Sequence, residues 1–128
     1  MPSVAVIGAS RDPSKFGNKA VRAYRRQGWT VYPVNPRKGG GGLPDDAYQI
    51  EGLRAVPDIS AIPGHLERVA LYVPASVGIT LLPAIAARGV DELFVNPGAE
   101  SDELLAEAER LGLPVVQACA IVDIGERP

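Results

Sequence analysis

Val4-Ala5-Val6-Ile7-Gly8-Ala9-Ser10-Arg11-Asp12-Pro13-Ser14-Lys15-Phe16-Gly17-Asn18 is the stretch that decides the fold. Its first four residues are β-branched or small and apolar, the pattern of a strand buried on both faces. Gly8 breaks that run into a polar loop, and a helical pattern follows from near Asn18 to Gln27, with Gly28 as its stop. Val21 and Tyr24 fall on one face of this helix, with Arg22, Arg25 and Arg26 mostly on the other, so Arg25 and Arg26 read as a solvated surface. Trp29 to Asn35 is β-branched and aromatic and reads as a second strand. Together these residues make a right-handed β-α-β unit. A strand, a glycine turn and a helix N-terminus form a phosphate cradle, in which unpaired N–H groups and the helix dipole face the anion. The plainer alternative is an ordinary strand-loop-helix connection with solvated charges.

The dinucleotide fingerprint G-x-G-x-x-G is only partly met. Gly8 is in place, Ser10 stands where the second glycine belongs, and Gly17 follows a longer loop. A side chain at position 10 limits backbone approach to a pyrophosphate, but its hydroxyl can donate to one. Arg11 and Lys15 add two cations that suit phosphate oxygens. Gly8, Ala9, Ser10, Arg11 and Lys15 are therefore the first candidate site residues.

The remaining chain alternates strand and helix. Arg68–Val73 reads as a strand, and Val77, Leu81, Ala84 and Ile85 fall at helical spacing. Pro83 implies either a separate first turn with the helix proper from Leu82, or a kink. Glu92–Val95 is a strand, Ser101 an N-cap with Asp102 and Glu103 in the first turn, and Pro114–Gln117 a fifth strand. Between Ala47 and Gly64 the pattern gives a short strand near Tyr48–Ile50 or none, then a single helical turn near Asp58–Ile62. Four consecutive glycines, Gly39–Gly42, read as a loop. The expected architecture is a single α/β domain over 1–128, Rossmann-like and doubly wound, with a mainly parallel five-stranded sheet and helices on both faces.

In 128 residues, 46% hydrophobic and 22% charged, there is room for one soluble domain. A net charge of −2 speaks against a general nucleic-acid partner, and no apolar run is long enough for a membrane span. With no basic leader in the sequence, a cytoplasmic location is expected. One cysteine and one histidine leave neither an internal disulfide nor a structural zinc site. His65 precedes a strand and belongs at the edge away from the ligand. Cys119 follows the fifth strand on the ligand edge, as a small buried residue or as a thiol facing a ligand thiol. Asp45, Asp46, Glu100, Asp102 and Glu103 form no acid-base pair, so binding is supported and catalysis is not.

The end of the second strand narrows the ligand. A carboxylate there would hold ribose hydroxyls, whereas Asn35, Pro36, Arg37 and Lys38 supply two cations and none. That fits NADP, and it fits coenzyme A with its ribose 3′-phosphate equally well. The segments Val6-Ile7-Gly8-Ala9-Ser10, Gly17-Asn18-Lys19-Ala20-Val21 and Val31-Tyr32-Pro33-Val34-Asn35-Pro36 resemble the small stand-alone coenzyme A-binding proteins. Their fold is similar to the coenzyme A-binding domain of the succinyl-CoA synthetase α subunit. Tyr72-Val73-Pro74-Ala75, Asn96-Pro97-Gly98-Ala99 and Cys119-Ala120-Ile121-Val122 extend the resemblance over almost the whole chain. It implies coenzyme A or an acyl-CoA as ligand. Gly8, Ser10, Arg11 and Lys15 would hold the pyrophosphate, and Asn35, Pro36 and Arg37 would flank the adenosine and its 3′-phosphate. Val73, Pro74 and Ser76 would line the adenine or the start of the pantetheine arm. A carrier, sensor or accessory module is then expected, with a protein partner unidentified; the alternative is an NADP-dependent oxidoreductase or its cofactor module.

Overall fold

Every side chain of β1 (Ser3–Ile7) is buried, because the strand is paired on both sides and covered on both faces. The computed structural model describes residues 2–35 and 48–128. β1 pairs in parallel with β2 (Thr30–Val34) on one side and with β5 (Arg68–Leu71) on the other. β6 (Glu92–Val95) and β7 (Val115–Val116) continue the sheet beyond β5, so the order is β2-β1-β5-β6-β7 with all five strands parallel. Beyond β2 a single parallel bridge joins Val34 to Val56, with the Val56 N–H donating to the Pro33 carbonyl at 2.9 Å. That one-residue bridge lies on the outer side of β2 and does not make a sixth strand among the described residues. Pro33 is tolerated in β2 because its carbonyl, and hence its missing N–H, faces this outer edge and not β1.

Strand alternation sends Val4, Val6, Ala70 and Phe94 to one face and Ala5, Ile7, Val69, Leu71, Leu93 and Val95 to the other. The first face is covered by α1 (Phe16–Arg26) and the short α4 (Ala120–Asp123), through Ala20, Val21, Ala23, Tyr24, Ala120 and Ile121. The second is covered by α2 (Ala75–Arg88) and α3 (Asp102–Arg110), through Leu82, Ile85, Leu104 and Ala108. At the N-terminal edge of the first face, the Arg68 guanidinium lies 4.1 Å from the Phe94 ring centroid and 5.0 Å from that of Trp29. It donates to Tyr24, Glu92 and Asp123, tying α1, β6 and α4 to β5.

Three local expectations change. α2 is one continuous helix, with Pro83 on its exposed side, so the separate first turn is not formed. Its buried positions are Gly78, Leu82 and Ile85, while Val77 and Ala84 face solvent. Gly78 shifts the face by one residue because its missing Cβ admits Leu104 of α3, whose Cδ1 would lie 3.1 Å from a Cβ there. The strand expected near Tyr48–Ile50 is β3 (Gln49–Ile50), and it has an antiparallel partner, β4 (Leu53–Arg54). Its turn is Glu51-Gly52, both with positive φ, a hairpin geometry usually signalled by Asn-Gly or Asp-Gly. The four-glycine loop lies outside the described residues.

His65 sits before β5 at the N-terminal edge, exposed, with Nε2 3.0 Å from the Asp91 carboxylate. The hydrogen bond to Asp91, and then its charge, raise the His65 pKa above its ordinary 6.5. Its contribution to stability is therefore complete below about 6.5 and is lost as pH rises through the raised folded value. A proton-NMR titration of the ring is expected to give a midpoint above 6.5, falling back in Asp91→Asn. At the opposite edge, a Cβ on Gly17 would fall inside contact distance of the Gly8 carbonyl oxygen. That oxygen is backbone and cannot rotate aside. Gly17→Ala is expected to lower unfolding stability by about 3 kcal/mol, the upper end of ordinary overpacking, as read by urea denaturation.

Candidate functional site at the C-terminal strand edge

In an open parallel sheet, ligands bind beyond the strand C-termini where the strand order reverses. Here the reversal lies between β1 and β5, so the 8–15 loop before α1 and the 72–74 loop before α2 frame the crevice. Gly8 makes the turn possible: its φ is +92°, and a Cβ there would lie 2.8 Å from the Tyr72 carbonyl oxygen. The Gly8 N–H donates to the Val34 carbonyl at 3.2 Å, which anchors the loop to β2.

The loop folds on its own polar groups. Ser10 Oγ accepts from the Asp12 N–H at 3.0 Å, and the Asp12 carboxylate accepts from the Ser14 hydroxyl at 2.7 Å and N–H at 2.9 Å. Those Ser14 bonds hold the Asp12 carboxyl below the usual range, its charge absorbed inside the turn. The loop then enters α1 at Lys15, whose side chain makes no capping bond, and no acidic residue occupies the first turn. Among the described residues, the N–H groups of Ser10, Arg11, Phe16 and Gly17 meet no acceptor. α2 is equally open: Pro74 precedes it without a capping bond, and its first turn has no acid. α3 is the contrast, capped by Ser101 accepting from the Leu104 N–H at 3.0 Å, with Asp102 and Glu103 against its dipole. The two helices that flank the strand reversal thus keep their positive ends unspent, and the more distant one does not.

The sequence-derived site residues divide by what their side chains do. Ala9 is buried in the core and offers only backbone. Lys15 is exposed and forms no ion pair among the described residues. Arg11 leans over the Tyr48 ring at 4.2 Å and donates Nε to the Gln49 carbonyl at 2.8 Å, bridging the loop to the β3–β4 hairpin. The Asn35 side chain turns back to donate to the Ala9 carbonyl at 2.9 Å. Val73 packs beside Gly8, while Pro74 and Ser76 stand exposed at the start of α2. Pro36 and Arg37, with Lys38, lie outside the described residues.

Two residues at this edge carry no decisive sequence signal. Asn96 is buried and donates to the Leu71 carbonyl while accepting from the Ala120 N–H, both at 2.8 Å, so it pins the edge together. The Tyr72 hydroxyl is buried and has no hydrogen-bond partner among the described residues. Burial, followed by the neighbouring Cys119, pushes its pKa well above the ordinary tyrosine value, so it is a neutral donor. Such an orphan at the ligand edge suits a polar ligand atom. Cys119 itself is half-buried and free, at the N-cap of α4. No group of three or more His, Cys, Asp or Glu that would hold a metal occurs among the described residues.

Open N–H groups, two glycines in close approach and a polar side-chain donor at this edge have the chemistry that suits an anionic ligand. The family described as CoA binding domain matches residues 2–125. The chain is 29% identical over 124 residues to the ADP-forming acetate–CoA ligase II subunit alpha of Pyrococcus furiosus, covering 88% of this chain and 25% of that one. It is 33% identical over 119 residues to the ADP-forming acetate–CoA ligase II of Archaeoglobus fulgidus, covering 90% of this chain and 16% of the relative. The chain thus spans a quarter or less of these curated relatives. Among solved structures, a conserved hypothetical protein of Pyrococcus furiosus superposes with a TM-score of 0.79 at 27% identity, covering 96% of this chain and 99% of that one. A dinucleotide-forming acetyl-coenzyme A synthetase of Candidatus Korarchaeum cryptofilum, in complex with phosphate and ADP, gives 0.72 at 28% identity over 91% of this chain and 25% of that one. By family match over residues 2–125, and in keeping with its fold, the chain belongs to the CoA-binding domain family.

Proposed function

We propose that this chain binds coenzyme A, free or as an acyl-CoA, at the C-terminal strand edge, and that it serves as a carrier, sensor or accessory module. The observation that carries the reading is the uncapped, acid-free N-terminus of α1 beside the strand reversal, set against α3, which has a Ser101 cap and two acids in its first turn. Backbone N–H groups of Ser10, Arg11, Phe16 and Gly17, the Ser10 hydroxyl and Lys15 would take the pyrophosphate. Asn35, Pro36 and Arg37 would flank the adenosine and its 3′-phosphate, and Val73, Pro74 and Ser76 the adenine or the first part of the pantetheine arm. Bound coenzyme A supplies a thiol that carries acyl groups as thioesters.

We assign this domain the binding of coenzyme A and not a complete ligase reaction of its own. The chain's one histidine is paired with Asp91 at the far edge of the sheet, away from the ligand loops. The relatives named as ligases are four or more times longer than the matched region, and one of them is named as an alpha subunit. That kinship supports a protein partner for this chain as well.

Parallel calorimetric titrations with coenzyme A, dephospho-coenzyme A, NADP and NAD test the reading. Micromolar binding of coenzyme A and silence from NADP are expected; tight NADP binding would instead mark the cofactor module of an oxidoreductase. Arg37→Ala is expected to weaken coenzyme A by roughly 1.5–3 kcal/mol, the scale of a charged hydrogen bond, and to leave dephospho-coenzyme A nearly unchanged. Equal losses for both ligands would remove Arg37 from the 3′-phosphate.

A further inference from the structure

We infer that Asn18 and Asn35 are positioning residues that set the two peptide planes of the anion cradle, Asn18 in turn being held by Glu51 of the β3–β4 hairpin. The inference rests on the reading that the 8–15 loop receives a pyrophosphate. It starts from the planarity of the trans peptide, in which C=O and the following N–H point in opposite directions. The Asn35 amide donates to the Ala9 carbonyl at 2.9 Å, which turns the Ser10 N–H the other way. The Asn18 amide donates to the Ser10 carbonyl at 2.9 Å, which does the same for the Arg11 N–H. These are two of the N–H groups without an acceptor among the described residues. Where the dinucleotide fingerprint uses a second glycine, this loop has a serine whose flanking peptides are tethered from behind.

Asn18 is fully buried, and both of its amide donors and its side-chain oxygen are engaged. Nδ2 donates to Ser10 and, at 3.0 Å, to the Glu51 carboxylate, while Oδ1 accepts from Arg22 Nε at 2.8 Å. A flipped amide would set its oxygen against two acceptors and its NH2 against a guanidinium, so the orientation is chemically forced. Glu51 adopts φ +51°, a left-handed backbone that a non-glycine residue enters at a cost. It is held there from α1 on two sides, the carboxylate by Asn18 and the carbonyl by Arg25 Nη1 at 2.6 Å. A strained glutamate in a turn that favours asparagine or glycine is explained if its carboxylate is needed to hold Asn18.

The test follows the Ser10 and Arg11 amides by 15N–1H NMR in the full chain during titrations with coenzyme A and, separately, inorganic pyrophosphate. In the unaltered protein both amides are expected to shift. In Asn18→Ala the Arg11 response should be lost and the Ser10 response kept, and Asn35→Ala should give the reverse. Affinity for either ligand should fall about tenfold in each variant, the scale of one misdirected charged hydrogen bond. Glu51→Gly removes the tether at an exposed turn while relieving the left-handed backbone. It should retain or gain thermal stability and still lose about threefold in affinity, a combination that a purely structural role would not give. If Asn18→Ala does not fold, Glu51→Gly decides. Coenzyme A binding that is indifferent to Asn18 and Glu51 overturns this inference and leaves the reading intact. Silence toward coenzyme A with the reciprocal pattern toward pyrophosphate overturns the reading and keeps the inference. Absence of any shift with either ligand overturns both.

Discussion

The approach of α1 to the end of β1 governs the rest of the molecule. Gly17 lies so close to the Gly8 carbonyl that no side chain fits between them. That contact brings the first turn of α1 over the C-terminal end of β1, and with it the unpaired N–H groups that a helix presents at its start. The two glycines divide the work that a compact fingerprint gives to neighbouring residues. Gly8 permits the turn and Gly17 permits the close packing, and the eight residues between them, 9–16, carry Ser10, Arg11 and Lys15.

Electrostatic assets are distributed unevenly across the sheet. At the C-terminal edge two helix N-termini stay uncompensated, and the one carboxylate in the β1–α1 loop is occupied by Ser14. At the N-terminal edge His65 pairs with Asp91, Glu67 is held by Ser3, and Arg88 donates to the Ile62 and Gly64 carbonyls. Arg68, with a side chain only 8% exposed, is sandwiched by Phe94 and Trp29 and neutralised by Glu92 and Asp123. Removing those carboxylates would leave a cation in a poorly solvated place, so their role is structural. One edge is thereby closed by self-satisfaction, and the other retains capacity for an external anion.

How far this was legible in the sequence depends on whether a feature is local. β1, α1 and α3 follow from an apolar run, an amphipathic period and a Ser101 cap, each determined within a few residues. The buried face of α2 lies one position from the one hydropathy suggests, because Gly78 is chosen by Leu104 of another helix and hydropathy assigns a glycine to no face. The β3–β4 hairpin is only half legible, since Glu-Gly is an unusual signal for its turn and the partner of Glu51 lies 33 residues away at Asn18. The sequence singles out Arg11 and Asn35 as candidate site residues, but not the fact that Arg11 reaches the hairpin or that Asn35 braces the loop. The lone Tyr72 hydroxyl is a property of packing that no pattern of residue types encodes.

The single bridge outside β2 has a consequence for how the molecule meets its neighbours. Residues 31, 33 and 35 point their backbone groups outward from this edge strand. Pro33 has no N–H to offer, its carbonyl is taken by Val56, and the Asn35 N–H donates to the Val56 carbonyl at 3.0 Å. Only Val31 keeps an outward donor among these three positions. A strand from another molecule would find too few partners there to extend the sheet, so β2 is guarded against edge-to-edge aggregation by one proline and one borrowed valine.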